Sequence, residues 1–136
     1  MAKKKQEYGN ESIVTLKGAD RVRKRPAVIF GSDGIEGCQH SVFEILSNSI
    51  DEAREGYGNK IIVTRYEDKS VEIEDFGRGI PVDYNKNEER FNWELVFCEL
   101  YAGGKFNNND AESYEFSLGL NGLGLCSTQY SSEYMD

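Results

Sequence analysis

The chain has 136 residues, 38% of them hydrophobic, with 24 acidic against 16 basic side chains and a formal net charge of −8. That length supports one domain with a core of its own, and no apolar run is long enough to span a bilayer. So acidic a body does not hold nucleic acid through its general field, because phosphate binding needs clustered Lys and Arg.

The start, Met1-Ala2-Lys3-Lys4-Lys5, leads into polar residues, so no signal peptide is expected. Cys38, Cys98 and Cys126 are odd in number and lack Cys-x-x-Cys spacing. They point to a reducing, cytoplasmic location and away from a disulfide frame or a zinc site. His40 is the only histidine, which weakens metal and Ser-His readings further.

Residues 1–12 are polar and read as a loose tail. Lys17 to Arg25 is strongly basic and reads as a short helix ending near Arg25, closed by Pro26. It fits a solvated basic face as well as a contact to an acidic neighbour or to DNA in a larger assembly. Val28 to Phe30 is apolar and stops at the turn residues Gly31-Ser32-Asp33-Gly34.

The helix that organises the chain is expected from about Gly37 to Glu55, with Gly56 as its stop. At helical spacing Glu44, Asn48, Asp51 and Glu52 share one face. Val42, Ile45, Leu46, Ser49, Ile50 and Ala53 cover the side that would pack on a sheet. An acidic helix face alone is most simply a solvated one.

Lys60 to Tyr66 and Ser70 to Asp75 read as a hairpin turning at Glu67-Asp68-Lys69, with Val71 and Ile73 on its buried face. A polar connection follows, then a helix from about Asn92 to Tyr101 whose Trp93, Val96, Phe97 and Leu100 form a core stripe. A last helix is expected from the glycine-rich Leu118 to Gly124 through Gln129.

Asp75-Phe76-Gly77-Arg78-Gly79 closes a strand with an acid and two glycines. Such a carboxylate can accept a hydrogen bond from an exocyclic amine, and the glycines let a flat ring approach. Tight turns use the same residues. Gly119 to Gly124 exposes backbone N–H groups ahead of a helix N-terminus, where phosphates are favoured. It is neither a Walker A loop nor a dinucleotide fingerprint. Because the chain's charge repels phosphate, a nucleotide site here requires Mg²⁺ as well as backbone dipoles. Asn48 offers a neutral oxygen to such an ion. Glu44, one turn away, is placed to deprotonate an attacking water.

These stretches together resemble the ATPase domain of the B subunits of bacterial type II topoisomerases, DNA gyrase and topoisomerase IV. That domain belongs to the GHKL, or Bergerat-fold, ATPases. Phe43-Glu44-Ile45-Leu46-Ser47-Asn48-Ser49-Ile50-Asp51-Glu52-Ala53 resembles the N box, Asp75 to Pro81 the first glycine motif, and Leu118 to Gly124 the second, in the ATP lid. Leu16 to Pro26 and Tyr101 to Phe106 resemble topoisomerase motifs in particular.

The resemblance implies an α/β (α+β) two-layer sandwich, with a mixed, mostly antiparallel sheet and helices on one face. Residues 1–14 would be an N-terminal arm and 15–136 the ATPase domain, incomplete at its C-terminal end. It implies ATP and Mg²⁺ as ligands, Glu44 as general base and Asn48 as the Mg²⁺ ligand. Asp75 would bind adenine, with Gly79, Ile80 and Pro81 shaping the pocket and Glu52 holding Arg78 over the ring. Lys105 would reach the phosphates, Tyr114 the base edge, and Gly119, Leu120, Asn121, Gly122, Leu123 and Gly124 would cradle the phosphates.

Tyr8 and Ile13 would lie in an arm that crosses to a second copy when ATP closes a homodimer. The larger enzyme would pair with a topoisomerase A subunit in a heterotetramer and act on DNA, which this acidic piece would not bind strongly. No membrane is involved. Asn121 stands where the family usually has histidine, and Leu118 where it has glycine. Two other readings stay open: another GHKL ATPase of chaperone or mismatch-repair type, or a nucleotide-binding or dimerisation piece without catalysis of its own. Arg23-Lys24-Arg25-Pro26 and Gly103-Gly104-Lys105 argue against the former.

Overall fold

A computed structural model describes residues 9–10, 13–100 and 123–136. Two short helices open it, α1 (Ala19–Arg23) and α2 (Pro26–Phe30). Pro26, expected to close the basic segment, instead begins α2, where its fixed φ suits a first helical turn and its missing N–H is no loss. Gly31, at φ 75, ends α2 in the left-handed conformation that glycine adopts without strain.

The long helix α3 (Ile35–Arg54) begins two residues earlier than its pattern suggests and stops as expected at Gly56. Gly37 near its start has no room for a side chain, because a Cβ there would run into the Ser32 carbonyl.

β1 (Ile61–Arg65) and β2 (Val71–Asp75) form the expected antiparallel hairpin, with Ile61 opposite Asp75 and Arg65 opposite Val71. Its turn is held by Tyr66 N–H to Ser70 O and Lys69 N–H to Tyr66 O, both 3.0 Å, with Lys69 at φ 73. Asp68 caps the turn by accepting from Ser70 N–H and Oγ, and those bonds hold its carboxyl below the usual range. The strand meets α3 at its Asp75 end; at its other end Val71, expected inside, is 40% exposed.

The polar connection carries a small antiparallel hairpin, β3 (Tyr84–Asn85) with β4 (Arg90–Phe91). It leads into α4 (Asn92–Cys98), where Glu94 accepts from Phe91 N–H at 3.0 Å. Val96, Phe97 and Leu100 are half-buried, but Trp93 is 45% exposed. Its ring stacks on Phe91, which meets Tyr84 edge-on, so these rings pack on one another and not inward. The single mixed sheet expected from the resemblance is represented among the described residues by two separate two-stranded antiparallel sheets.

α5 (Gly124–Ser131) ties the helices together. Arg23 Nε donates to Tyr130 O at 2.7 Å, Tyr130 Oη donates to Cys98 O at 2.6 Å, and Thr128 Oγ1 donates to Ser41 O at 3.2 Å. Three elements far apart in sequence thereby hold α5 in place. The buried apolar side chains among the described residues, Val22, Phe30 and Cys126, belong to α1, α2 and α5. Burial pushes the Cys126 thiol up to about 11. No helix among the described residues is long and apolar enough to cross a membrane.

Candidate functional site

Glu44, Asn48 and Glu52 follow one another at four-residue spacing along α3, so they form a row on one side of it. Other elements close both ends of that row. At the first end a Cβ added to Gly124, the first residue of α5, would lie 2.9 Å from Glu44 Cβ and Cδ and collide with its Oε2. At the second end a Cβ added to Gly77 would collide with Glu52 Cγ and lie 3.2 Å from Asp75 Oδ1. Glycine at both positions is a steric requirement, since each lets backbone close on a carboxylate-bearing side chain.

Asp75 ends β2 and is fixed from two directions. Ser49 Oγ donates to its Oδ2 at 2.6 Å, and Gly77 N–H donates to its Oδ1 at 3.0 Å. Ser49 is buried on the side of α3 expected to meet the sheet. The carboxylate therefore has a set orientation and keeps lone-pair capacity for a further donor.

Glu52 fixes Arg78 through three bonds. Its Oε1 accepts from Arg78 N–H at 2.9 Å and from Nε at 2.7 Å, and its Oε2 accepts from Arg78 Nη2 at 2.8 Å. The same Nη2 reaches Glu55 Oε2 at 2.6 Å. These paired carboxylates raise the affinity of the guanidinium for its proton. Gly79 follows at φ 80, a glycine conformation that turns the chain toward Ile80 and Pro81, both exposed.

His40 Nε2 and Glu44 Oε1 lie 2.9 Å apart across one helical turn. Sequence reasoning weighs His40 only as a metal or triad residue, whereas its i, i+4 spacing to Glu44 is the available signal for this pair. His40 itself sits between Phe30 and Phe43, with ring centroids 6.2 and 6.4 Å away.

Asp51 departs from expectation. Its spacing puts it with Glu44 and Asn48 on a polar face, yet it is 4% exposed, and Ser47 one turn before it is also buried. That side of α3 is packed against other parts of the fold and is not a solvated stripe. Among the described residues no group of three or more His, Cys, Asp and Glu side chains forms a metal cluster.

Of the sequence-predicted site residues, Glu44, Asn48, Glu52, Asp75, Arg78, Gly79, Ile80, Pro81, Leu123 and Gly124 are described. Glu44 meets Gly124, and Glu52 meets Gly77 and Arg78, beside Asp75. Tyr8, Lys105, Tyr114, Gly119, Leu120, Asn121 and Gly122 lie outside the described residues. Ile13 is exposed.

Residues 34–136 match the family model for histidine kinase-, DNA gyrase B- and HSP90-like ATPases. The DNA gyrase B protein of Thermotoga maritima is 47% identical over 131 residues, covering 96% of this chain and 20% of that protein. The corresponding values are 43% over 132 residues, 97% and 20% for the DNA gyrase B protein of Treponema denticola. For the mitochondrial DNA gyrase B protein of Arabidopsis thaliana they are 43% over 129 residues, 95% and 18%. The chain thus spans about a fifth of the length of these curated relatives. The crystal structure of the 43K ATPase domain of Thermus thermophilus gyrase B, solved with an aminocoumarin, matches with a TM-score of 0.55 and 44% identity. That match covers 58% of this chain and 22% of the other.

Proposed function

The chain belongs to the histidine kinase-, DNA gyrase B- and HSP90-like ATPases, and we propose that it binds and hydrolyses ATP as part of a gyrase-type B protein. The observation that carries this reading is the row on α3. Glu44 faces the start of α5 at one end, and Glu52 faces the turn after Asp75 at the other. An ATP lying along that row would run from the Glu52 end, beside base-recognising Asp75, to phosphate-facing Glu44, about two helical turns or roughly 12 Å along α3 at about 1.5 Å per residue.

In this reading Asp75 accepts from the adenine amine, with Gly79, Ile80 and Pro81 beside the ring and Arg78 over it. The donor set fits magnesium: Asn48 supplies a neutral oxygen between two carboxylate-bearing positions, and the N-terminus of α5 begins at Gly124 against Glu44. Bound there, Mg²⁺ offsets the phosphate charge that a chain of net charge −8 otherwise repels. Glu44, steadied by His40, takes the proton of a water attacking the γ-phosphorus; the bond to the bridging oxygen breaks and ADP and phosphate leave. Leu123 belongs to the phosphate loop with Gly119, Leu120, Asn121 and Gly122. Lys105, Tyr114 and Tyr8 take the roles that kinship gives them.

Similarity to gyrase B proteins supports extending the same reading to a larger assembly. ATP closes a homodimer through the arm carrying Tyr8 and Ile13, a gyrase A protein completes the enzyme, and the cycle drives DNA strand passage in the cytoplasm. The test is supercoiling of relaxed plasmid by the whole B protein with its A partner. ATP-dependent supercoiling supports the reading. ATP hydrolysis that leaves plasmid topology unchanged moves the chain to another branch of the family, and absence of hydrolysis leaves a binding module.

A further inference from the structure

The turn after α3 places Tyr57 by main-chain bonds. Gly56 N–H donates to Ala53 O at 3.0 Å and Tyr57 N–H to Glu52 O at 3.1 Å, with Gly56 at φ 92. These are the two bonds of a Schellman stop, which fixes the residue after the glycine against the last turn of the helix. The ring of Tyr57 is thereby set just past Glu55 and beside the turn that follows Asp75. Arg78 lies on it, the guanidinium carbon 3.7 Å from the ring centroid.

The guanidinium edge is meanwhile taken by Glu52 and Glu55. A planar guanidinium has two faces and an edge. Here Tyr57 occupies one face and carboxylates the edge, the side chain stays 50% exposed, and among the described residues no ring lies on the second face.

We propose that Tyr57, with Glu55, is a positioning residue for base recognition: it sets the Arg78 plane in advance so that the second face receives the nucleotide's purine ring. This rests on the nucleotide reading above. The Glu52 fork and Glu55 hold the edge of the guanidinium, and neither carboxylate touches its faces. Stacking on an aromatic face adds a directional restraint that a carboxylate lacks. A ligand that stacks on an arginine already held in place does not have to order it, and that ordering is one of the recurring penalties of binding. Loss of Tyr57 therefore weakens base binding without removing any group that touches the nucleotide.

The test uses the whole chain, labelled with nitrogen-15, and reads two quantities: affinity for Mg-AMP-PNP by calorimetry, and the Arg78 Nε–H signal without nucleotide. Tyr57→Leu keeps apolar bulk but has no aromatic face, and Tyr57→Phe keeps the face. Tyr57→Leu should bind roughly three- to tenfold more weakly and should move the Arg78 signal toward the position of freely solvated arginines. Tyr57→Phe should match the parent in both. Glu55→Ala, which loosens the same guanidinium from its edge, should shift the signal in the same direction.

Affinity unchanged in Tyr57→Leu, an unmoved Arg78 signal, or a Tyr57→Phe variant as weak as Tyr57→Leu overturns the inference. If the parent chain itself binds no nucleotide, the nucleotide reading falls and the inference with it; that result is distinct, because it precedes any substitution.

Discussion

Ser49 Oγ donates a 2.6 Å hydrogen bond to Asp75 Oδ2, joining the middle of α3 to the end of β2. The bond does more than link two elements. With Gly77 N–H on the other oxygen, it leaves the carboxylate one orientation in which to meet a ligand. Ser49→Ala should leave the fold intact and weaken Mg-AMP-PNP binding about fivefold, in keeping with about 1 kcal/mol for one hydrogen bond. Calorimetry on the two chains checks this, and equal affinities would show that Gly77 alone suffices to orient Asp75.

The pairing of Glu44 with His40 separates chemistry from binding. Glu44→Ala should abolish ATP hydrolysis while nucleotide affinity stays within a few-fold, because in the proposed mechanism the residue acts on water and not on the base. His40→Ala should leave Glu44 present but less well held, with a partial loss of roughly tenfold or more. Steady-state phosphate release by the full-length protein reads both; normal turnover in Glu44→Ala removes it as the base.

Gly124 offers a prediction whose sign depends on one neighbour. Alanine for glycine within a helix ordinarily stabilises by up to about 1 kcal/mol. Here the added Cβ would press on Glu44, so Gly124→Ala should instead destabilise by about 1–3 kcal/mol and lower the thermal midpoint. In a Glu44→Ala background the contacts with Oε2 and Cδ are gone while the 2.9 Å contact with Cβ remains, so the same substitution should destabilise less than it does in the parent. Thermal melts of the two single variants and the double variant measure that coupling directly.

The three cysteines are not equivalent in reactivity. Cys126 is buried and its thiol is pushed up to about 11, whereas Cys38 is exposed. A raised thiol pKa means less thiolate at any lower pH, so at about pH 8 roughly one Cys126 in a thousand is ionised, and that fraction is shielded. Iodoacetamide should label Cys38 readily and Cys126 only on unfolding, as mass spectrometry of peptides would show.

Much of this is legible in the letters because local chemistry dictates it. The four-residue spacing of Glu44, Asn48 and Glu52 fixes a shared face on any helix, and Gly56 ends that helix whatever surrounds it. The acid, glycine and arginine around Asp75 likewise announce a turn that must approach something closely. What stays hidden depends on tertiary packing. Asp51 reads as polar and exposed from its position on the helical wheel, yet the fold buries it.

Pairs such as Tyr84–Asn85 with Arg90–Phe91 are too short for any alternation to declare them strands. Trp93 reads as core from its spacing, but its ring finds aromatic neighbours at the surface. Tyr57 carries no pattern at all. Its part emerges only once the Schellman turn and Arg78 occupy the same space.

The claim that Glu44, Asn48 and Asp75 serve one nucleotide is tested most directly by titrating the chain with Mg-AMP-PNP in the calorimeter, alongside Asp75→Ala and Glu44→Ala. A single site that disappears in Asp75→Ala and persists in Glu44→Ala is the expected result. Heat of binding that survives in Asp75→Ala, or no binding by the parent chain, would contradict it.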